Sequence, residues 1–175
     1  MKAYWAAKAD LDNLAPEATD WPCIGTAMQE IPRTRRVFLS KHVAGMCGVG
    51  KFMLHWKEWD HDNCPRCGSP EDSTHVWLCS GQNTNEVWGR SLSVLRSWMA
   101  SAHMDPELAS LIFTSLNNWR YAVSFGVPPL RLANLVQYQH TIGWGRFLKG
   151  WLSKEWQAIQ QRYYDSLCMR RTGRR

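Results

Sequence analysis

Apolar residues recur every three or four positions along most of the chain, which is the spacing of amphipathic α-helices. The clearest helix is predicted over Asn83–Ala102, and its apolar face consists of Val87, Trp88, Leu92, Leu95, Trp98 and Met99. A further helix is predicted to begin at Asp105, because an aspartate followed by a proline combines an N-cap with a favoured first helical residue. Apart from a small hairpin at the cysteines, no stretch alternates with period two for long enough to predict a strand. The pattern therefore predicts a mostly α-helical fold.

The same pattern divides the chain into three parts. Residues 1–32 combine weak periodicity with three prolines, and we expect a loosely structured lead-in there. A helical domain is predicted over residues 33–169, with helices at Thr34–Ala44, Lys51–Trp59 and Leu130–Met169, the last with a kink at Gly143–Gly145. Residues 170–175 form a basic tail.

The composition is that of a folded domain. Its 175 residues are enough for one core, and hydrophobic residues at 45% and charged residues at 21% are close to globular averages. Eleven tryptophans are unusual. Their helical spacing places most of them in the core, whereas an exposed tryptophan can stack on nucleic-acid bases.

Charge and cysteine usage suggest an environment and a partner. The net charge of +6 is compatible with a polyanionic partner. No run approaches the roughly eighteen apolar residues that cross a bilayer, and the first residues lack the apolar core of a secretory signal. We therefore expect an intracellular protein, the nucleus included, without a membrane partner. In such a reducing compartment, clustered cysteines bind metal more often than each other.

Four residues have the spacing of a metal site, C-x2-C-x7-H-x3-C: Cys64, Cys67, His75 and Cys79. Pro65 and Gly68 favour a tight turn that directs the first two sulfurs to one point, and His75 and Cys79 lie one helical turn apart. Three thiolates and one imidazole form a closed tetrahedral set, which selects Zn²⁺ and leaves no position for a catalytic water. The sequence thus predicts a structural zinc knuckle over residues 60–81, inserted in the helical domain.

Some features of the knuckle stay open at this stage. His61, three residues before Cys64, is a rival metal ligand. Asp60, His61 and Asp62 together are also the residue types that could hold the metal of a cryptic nuclease. The helix that contains His75 can be capped from residues 69–71 or 73–74.

Signatures of enzymes are missing from the sequence. The stretch GVGKF lacks the length of a phosphate-binding loop and its final Ser or Thr. A zinc deaminase needs H-x-E followed by P-C-x-x-C, whereas here the proline lies inside the CxxC. No Asp or Glu occurs between Glu107 and Glu155, so converging acids are not indicated. We expect no catalysis and no small-molecule substrate.

The stretch TRRVFLSKHVAGMCGVGKFMLHWKEWDHDNCPRCGSPEDSTHVWLC resembles the zinc-binding C-terminal region of non-LTR retrotransposon reverse-transcriptase polyproteins. The shared features are a basic helix, a glycine break, a second helix, C-P-x-C, an acidic stretch before the histidine, and the last cysteine. The resemblance covers about Arg33–Cys79 and is greatest to free-standing or truncated versions in protist genomes. The closing segment from Ile142 to Arg175 also looks like the end of such reading frames.

The resemblance implies a zinc knuckle that holds RNA or DNA, with the same four ligands. Two departures limit what it implies. The H-x3-C spacing is one residue shorter than the H-x4-C of many retroelement knuckles. The chain also lacks the paired aspartates of reverse transcriptases and the P-D…D pattern of the associated endonuclease, so those activities do not carry over.

Two functions follow as hypotheses. The first is a module that binds RNA or single-stranded DNA, in which phosphates contact basic residues and bases stack on Trp56, Trp59 or Trp77. The predicted basic contacts are Arg33, Arg35, Arg36, Lys41, Lys51, Lys57, Arg66, Arg170, Arg171, Arg174 and Arg175. The second is a structural zinc domain that mediates protein–protein interaction, in which the tryptophans are core and the arginines are solvated.

Overall fold

The computed structural model describes residues 17–172, with side chains as far as Cys168. Its regular elements are helices: α1 (Trp21–Glu30), α2 (Arg33–Val43), α3 (Gly50–His55), α4 (His75–Leu78), α5 (Thr84–Ser101), α6 (Pro106–Arg120), a 3-10 helix (Leu130–Leu132), α7 (Ala133–Ile142), α8 (Trp144–Phe147) and α9 (Glu155–Thr172). Within this range no β-strand forms, and the β-pairing there consists of two isolated bridges. The predicted mostly α-helical fold is therefore confirmed. None of the helices in residues 17–172 combines the length and apolar character that crossing a bilayer requires.

The main core lies among α5 to α9. Its buried apolar side chains are Trp88, Met99, Leu108, Ile112, Phe113, Leu116, Leu132, Leu135, Val136, Trp144, Trp156 and Ile159. Trp88 and Met99 were expected in this role, but Trp98 of the same predicted face is 58% exposed. At 3.6 residues per turn Trp98 lies roughly 80° from the line through Trp88, which places it at the edge of the buried face.

The predicted start of α6 is confirmed by its N-cap. The Asp105 carboxylate accepts a hydrogen bond from the backbone N–H of Glu107 at 2.8 Å, and Pro106 is the first helical residue. Asp105 is 2% exposed, and its two oxygens also accept hydrogen bonds from the Arg131 guanidinium at 2.9 and 2.8 Å. This cap therefore also joins α6 to the 3-10 helix.

The prediction of a loosely structured lead-in is wrong for the residues before α2 that the structure describes, because α1 forms there. Asp20 caps α1 by accepting a hydrogen bond from Cys23 N, and Pro22 lies in its first turn. Residues 18–20 pair with residues 152–154 through two backbone hydrogen bonds. Trp21 packs edge-on against Trp151 at 5.0 Å. Residues 1–16 lie outside the described part of the chain.

The C-terminal region is more interrupted than the predicted helix over Leu130–Met169. The expected break at Gly143 is confirmed, since α7 ends at Ile142 and α8 begins at Trp144. A second break, over residues 148–154, was not predicted. Gly150 has a φ of +82°, and the buried Trp151 leaves the helical path to pack against Trp21. A long-range contact therefore overrides the helical periodicity here.

A buried amide holds this second break in place. Gln139 of α7 is 0% exposed, and its Oε1 accepts hydrogen bonds from Trp156 Nε1 at 2.9 Å and from Ser153 N at 3.2 Å. Its Nε2 donates to the carbonyl of Trp151 at 3.1 Å. One side chain thus satisfies three polar groups of the connection between α8 and α9.

The two N-terminal helices predicted next to the knuckle both form. Helix α2 matches the prediction to within one residue at each end, whereas α3 is shorter than predicted and ends at His55. Lys57 has a φ of +62°, which is incompatible with a continuing α-helix. Helix α2 has no buried residue, and its last turn contacts the knuckle through His42, whose ring lies edge-on to Trp77 at 5.6 Å.

Candidate metal centre

A tight turn brings Cys64 and Cys67 together. The N–H of Gly68 donates to the carbonyl of Cys64 at 2.8 Å, and the N–H of Cys64 donates to the carbonyl of Ser69 at 2.7 Å. Gly68 has a φ of +74°, a conformation that glycine adopts without strain, and the predicted tight turn forms. In place of the small hairpin expected here, the pairing is one bridge between Asn63 and Pro70.

Helix α4 supplies the other two candidate ligands. His75 is its first residue and Cys79 its C-cap, with the N–H of Cys79 donating to the carbonyl of His75 at 2.7 Å. The first turn is capped by Asp72, whose Oδ1 accepts hydrogen bonds from Thr74 N at 2.9 Å and His75 N at 2.7 Å. Thr74 is the N-cap residue, as residues 73–74 predicted, but its side chain makes no capping hydrogen bond, and none comes from residues 69–71. The short side chain of Asp72 reaches two free N–H groups at once.

The four side chains converge on one point. Their ligand atoms all lie within 4.8 Å of one another. The sulfurs of Cys64 and Cys79 are 3.8 Å apart, and Cys67 Sγ lies 3.2 Å from His75 Nε2. The three cysteines are free thiols, and Cys64 and Cys79 are each 3% exposed. This group of three cysteines and one histidine can hold a metal ion.

The two thiols of the turn have opposite electrostatic environments. A hydrogen bond from the backbone N–H of Ser69 lowers the pKa of Cys67 to about 6, so this sulfur is mostly thiolate at neutral pH. Burial raises the pKa of Cys64, although hydrogen bonds from the backbone N–H groups of Arg66 and Cys67 oppose the effect. A metal ion would bind both as thiolates, because ligation requires loss of the proton.

Arg120 links the candidate centre to the helical core. It projects from the end of α6, and its Nη2 donates to the carbonyl of Cys79 at 3.2 Å and to Asn85 Oδ1 at 3.0 Å. Its guanidinium lies 5.1 Å from the centre of the Trp88 ring. A cation is thus held beside a group whose three thiolates would carry more negative charge than a divalent metal neutralises.

Helix α3 supports the knuckle from the other side. The N–H of Gly50 donates to the Glu71 carboxylate at 2.9 Å, and the N–H of Lys51 donates to the Glu71 carbonyl at 2.9 Å. Glu71 in turn donates its own N–H to the carbonyl of Asp62 at 2.8 Å. A Cβ at Gly50 would lie 2.1 Å from that carbonyl oxygen, so the two backbones meet without room for a side chain.

The structure does not bring Asp60, His61 and Asp62 into a site. Within the described residues, the cysteine and histidine group is the set of potential metal ligands, and it leaves these three out. His61 Nδ1 accepts a hydrogen bond from Asn63 N at 3.2 Å, and the Asp60 side chain is 97% exposed. His61 as a rival ligand is therefore not supported.

The predicted basic contacts fall into separate places. Arg33, Arg35, Arg36 and Lys41 lie exposed on α2, where Arg36 donates to the carbonyls of Gln29 and Ile31 and so caps α1. The other three described ones lie in three different surface depressions: Lys51, Lys57 and Arg66. Arg170 and Arg171 belong to the last turn of α9, where the structure describes the backbone and not the side chains. Arg174 and Arg175 lie beyond the described residues.

The three tryptophans predicted to stack on bases differ in accessibility. Trp56 is 43% exposed and Trp59 is 37% exposed, and both remain available for stacking. Trp77 is only partly exposed, because it packs against the main core and against His42. Its position between the two candidate ligands of α4 directs it inward, so it is poorly placed to stack on a base.

Two supporting residues were missed by sequence reasoning. Asp72 had a readable signal, since an aspartate three residues before a helical histidine has the spacing of a cap. Arg120 had none, because its contacts with the Cys79 carbonyl and with Asn85 join positions 41 and 35 residues away.

The chain matches no protein-family model, no curated protein and no solved structure. Its function therefore has to be argued from its own residues.

Proposed function

We propose that this chain is a zinc-knuckle module that binds RNA or single-stranded DNA through basic and aromatic residues and has no catalytic activity of its own. The proposal retains the resemblance of residues 33–79 to the zinc-binding region of non-LTR retrotransposon polyproteins. It has two parts, the metal and the nucleic acid, and each is supported by a different region.

The choice of zinc is supported by the chemistry and spacing of the donors. Zinc binds thiolate at about 2.3 Å, so two sulfurs of a tetrahedral site lie about 3.8 Å apart. Cys64 and Cys79 already have their sulfurs 3.8 Å apart. Three soft thiolates and one imidazole favour zinc over the oxygen-preferring Mg²⁺ and Ca²⁺.

A closed set of four ligands supports a structural role for the metal. Catalytic zinc sites hold the metal with three protein ligands and keep one position for water or substrate. The knuckle buries few apolar side chains, so zinc would supply free energy that its own packing does not provide. In this role zinc fixes helix α3, which carries Lys51, and the loops that carry Lys57 and Arg66.

The observation that carries nucleic-acid binding is the exposure of α2. The helix has four arginine and lysine residues and no buried one, and within the described part of the chain none of the four forms an ion pair with a carboxylate. Arg33, Val37 and Lys41 follow one another at four-residue intervals, so they form one stripe on the helix. Such unneutralised cations suit a row of phosphates, whose counterions are released on binding.

The test of the metal is the zinc content of purified protein measured by mass spectrometry. We expect one zinc per chain, and a preparation that folds fully with none would contradict the zinc assignment.

The test of the second part is a titration with single-stranded RNA and DNA at two salt concentrations. The variant Arg33→Ala/Arg35→Ala/Lys41→Ala removes three cations of α2 and leaves Arg36 to cap α1. The matched control Arg90→Ala/Lys154→Ala/Arg162→Ala removes three exposed cations outside α2. Each lost phosphate contact should lower the salt slope by about 0.7 for single strands. Equal affinity and slope for both variants would contradict a role for α2.

The alternative function, protein–protein interaction, is favoured by one observation. Helix α5 exposes Val94 at 72% and Trp98 at 58%, on neighbouring turns. An apolar pair of this kind suits a protein surface better than a phosphate backbone. It becomes the preferred function if the titrations show no binding of either nucleic acid by the zinc-loaded protein.

A further inference from the structure

A cleft of about 750 Å³ lies between the last turn of α2, the loop before α4 and the segment around α8. We call it the basic cleft, since three cations line it: Lys51, Arg146 and Lys149. Its volume is within the range of small-molecule sites, about 300–1,000 Å³. Of the basic residues singled out from the sequence, only Lys51 lines it.

Lys149 is the most informative residue of the basic cleft. Its ammonium is half-buried, and the partner within hydrogen-bond distance is the neutral hydroxyl of Ser73 at 3.1 Å. Burial lowers the pKa of Lys149, while the charge of Asp72 raises it. Within the described residues no carboxylate forms an ion pair with Lys149. A half-buried cation with no carboxylate at ion-pair distance is costly, and a bound anion would offset that cost.

The acid on the rim does not occupy this position. Asp72 also lines the basic cleft, but its Oδ1 accepts the two N–H groups that begin α4. Gly45 lies at the same rim, where a Cβ would come 3.2 Å from Ser73 Oγ and 3.9 Å from Lys149 Nζ. The missing side chain at position 45 therefore leaves the ammonium open to a ligand.

Aromatic side chains also line the basic cleft. Trp119 and Phe125 are partly exposed there, beside the buried Trp144. The rings of Phe125 and Trp144 are nearly parallel, with centroids 6.2 Å apart and 18° between the planes. Trp119 lies directly against Gly145, where a Cβ would come 2.8 Å from its Cζ2. These flat surfaces are the kind on which nucleobases stack.

We propose that the basic cleft binds one nucleotide unit of a single strand, with its phosphate at Lys149 and its base against Trp119 and Phe125. A nucleotide would contact both the ammonium of Lys149 and the aromatic side chains, whereas a simple anion would contact only the ammonium. The presence of both groups in one cleft therefore favours a nucleotide. This inference rests on the proposed function in that the nucleotide belongs to bound RNA or single-stranded DNA. It adds a site on α6, α8 and their loops to the contacts on α2.

The experiment combines affinity with photocrosslinking on the full chain loaded with zinc. The probe is a short oligouridine that carries one 5-iodouridine, and its crosslinks are mapped by mass spectrometry. We expect crosslinks at Trp119 or Phe125 in the unmodified protein. We expect Lys149→Gln to weaken affinity about 10-fold, the size of one lost hydrogen bond to a charged group. Lys149→Arg should retain the affinity, and Lys154→Gln, an exposed control outside the cleft, should change it less than about twofold.

Competition by uridine monophosphate and by inorganic phosphate separates the two proposals. If the oligonucleotide binds, but crosslinks map elsewhere and Lys149→Gln has no effect, the basic cleft is rejected and the proposed function stands. If the oligonucleotide does not bind while uridine monophosphate does, and Lys149→Gln weakens it, the cleft stands as a free-nucleotide site and the proposed function fails. Equal competition by phosphate and uridine monophosphate would reject the base contact. The crosslink map of the unmodified protein tests the base contact even where a variant does not fold.

Discussion

The knuckle and the helical core are held together in different ways. Of residues 60–81, three are buried, namely Cys64, Ser73 and Cys79, and two of these are candidate metal ligands. The core of α5 to α9 buries a cluster of twelve apolar residues. Apolar burial stabilises in proportion to area, whereas a small loop region without such area depends on a few directed bonds. The two regions should therefore fail under different perturbations, and four substitutions test this.

The largest expected effect is at a candidate ligand. Cys79→Ser removes one of four donors, so the loss of zinc affinity should exceed the about 10–100-fold that changes around a metal site produce. We expect zinc content to fall and hydrogen exchange to rise in residues 50–81, with the helical circular dichroism of α5 to α9 retained. Cys168→Ser, at an exposed cysteine of α9, is the control. Retention of one zinc with unchanged exchange would refute a four-ligand centre.

The second substitution perturbs the hydrophobic core instead of the candidate metal centre. Leu116 is 0% exposed, and Leu116→Ala should lower the free energy of unfolding by about 2–5 kcal/mol, since it removes buried methyl groups and leaves a cavity. Urea denaturation followed by circular dichroism measures the loss, and zinc stoichiometry should not change. Leu130→Ala, at a residue that is 93% exposed, should be near neutral. Parallel loss of zinc in Leu116→Ala would show that the two regions are not independent.

An effect of similar size is expected at the buried amide. Gln139→Leu keeps similar bulk but leaves Ser153 N and Trp156 Nε1 without an acceptor, at about 1–3 kcal/mol for each buried group. The free energy of unfolding should fall accordingly, measured as for Leu116. Gln137→Leu, on the exposed side of the same helix, serves as the matched control. Equal stability of the two variants would mean that the amide does not hold the break before α9.

The smallest effect is expected at the cap of α4. Asp72→Ala frees two N–H groups, and loss of a cap costs about 0.5–2 kcal/mol. Because α4 carries two candidate ligands, the cost should appear as weaker zinc binding in competition with a chromophoric chelator. Asp60→Ala is the control within the knuckle, since that side chain is 97% exposed. An effect of Asp72→Ala on global unfolding with zinc affinity unchanged would contradict the assignment.

The local features of this fold could be predicted from the sequence. The N-cap at Asp105, the break at Gly143 and the bounds of α5 follow from neighbouring residues, and each agrees with the structure to within one residue. The same holds for the four convergent side chains, because a CxxC turn and a one-turn spacing on a helix fix two pairs of donors in advance.

The features that could not be predicted from the sequence depend on contacts between distant segments. Trp151 leaves the helical path because Trp21, 130 residues earlier, packs against it. The burial of Lys149 beside Ser73 joins residues 76 apart, and no pattern around either residue indicates it. Periodicity reports which face of a helix is apolar, but not which segment will cover it.

The contact between Gly50 and the Asp62 carbonyl limits which missense changes position 50 can tolerate. Every other amino acid carries a Cβ, and at this position that atom would lie 2.1 Å from the Asp62 carbonyl oxygen. Position 50 therefore has no conservative replacement, and any missense change in its codon forces α3 and the knuckle apart. A single-codon scan should find it as intolerant as the metal ligands, although it donates no ligand atom.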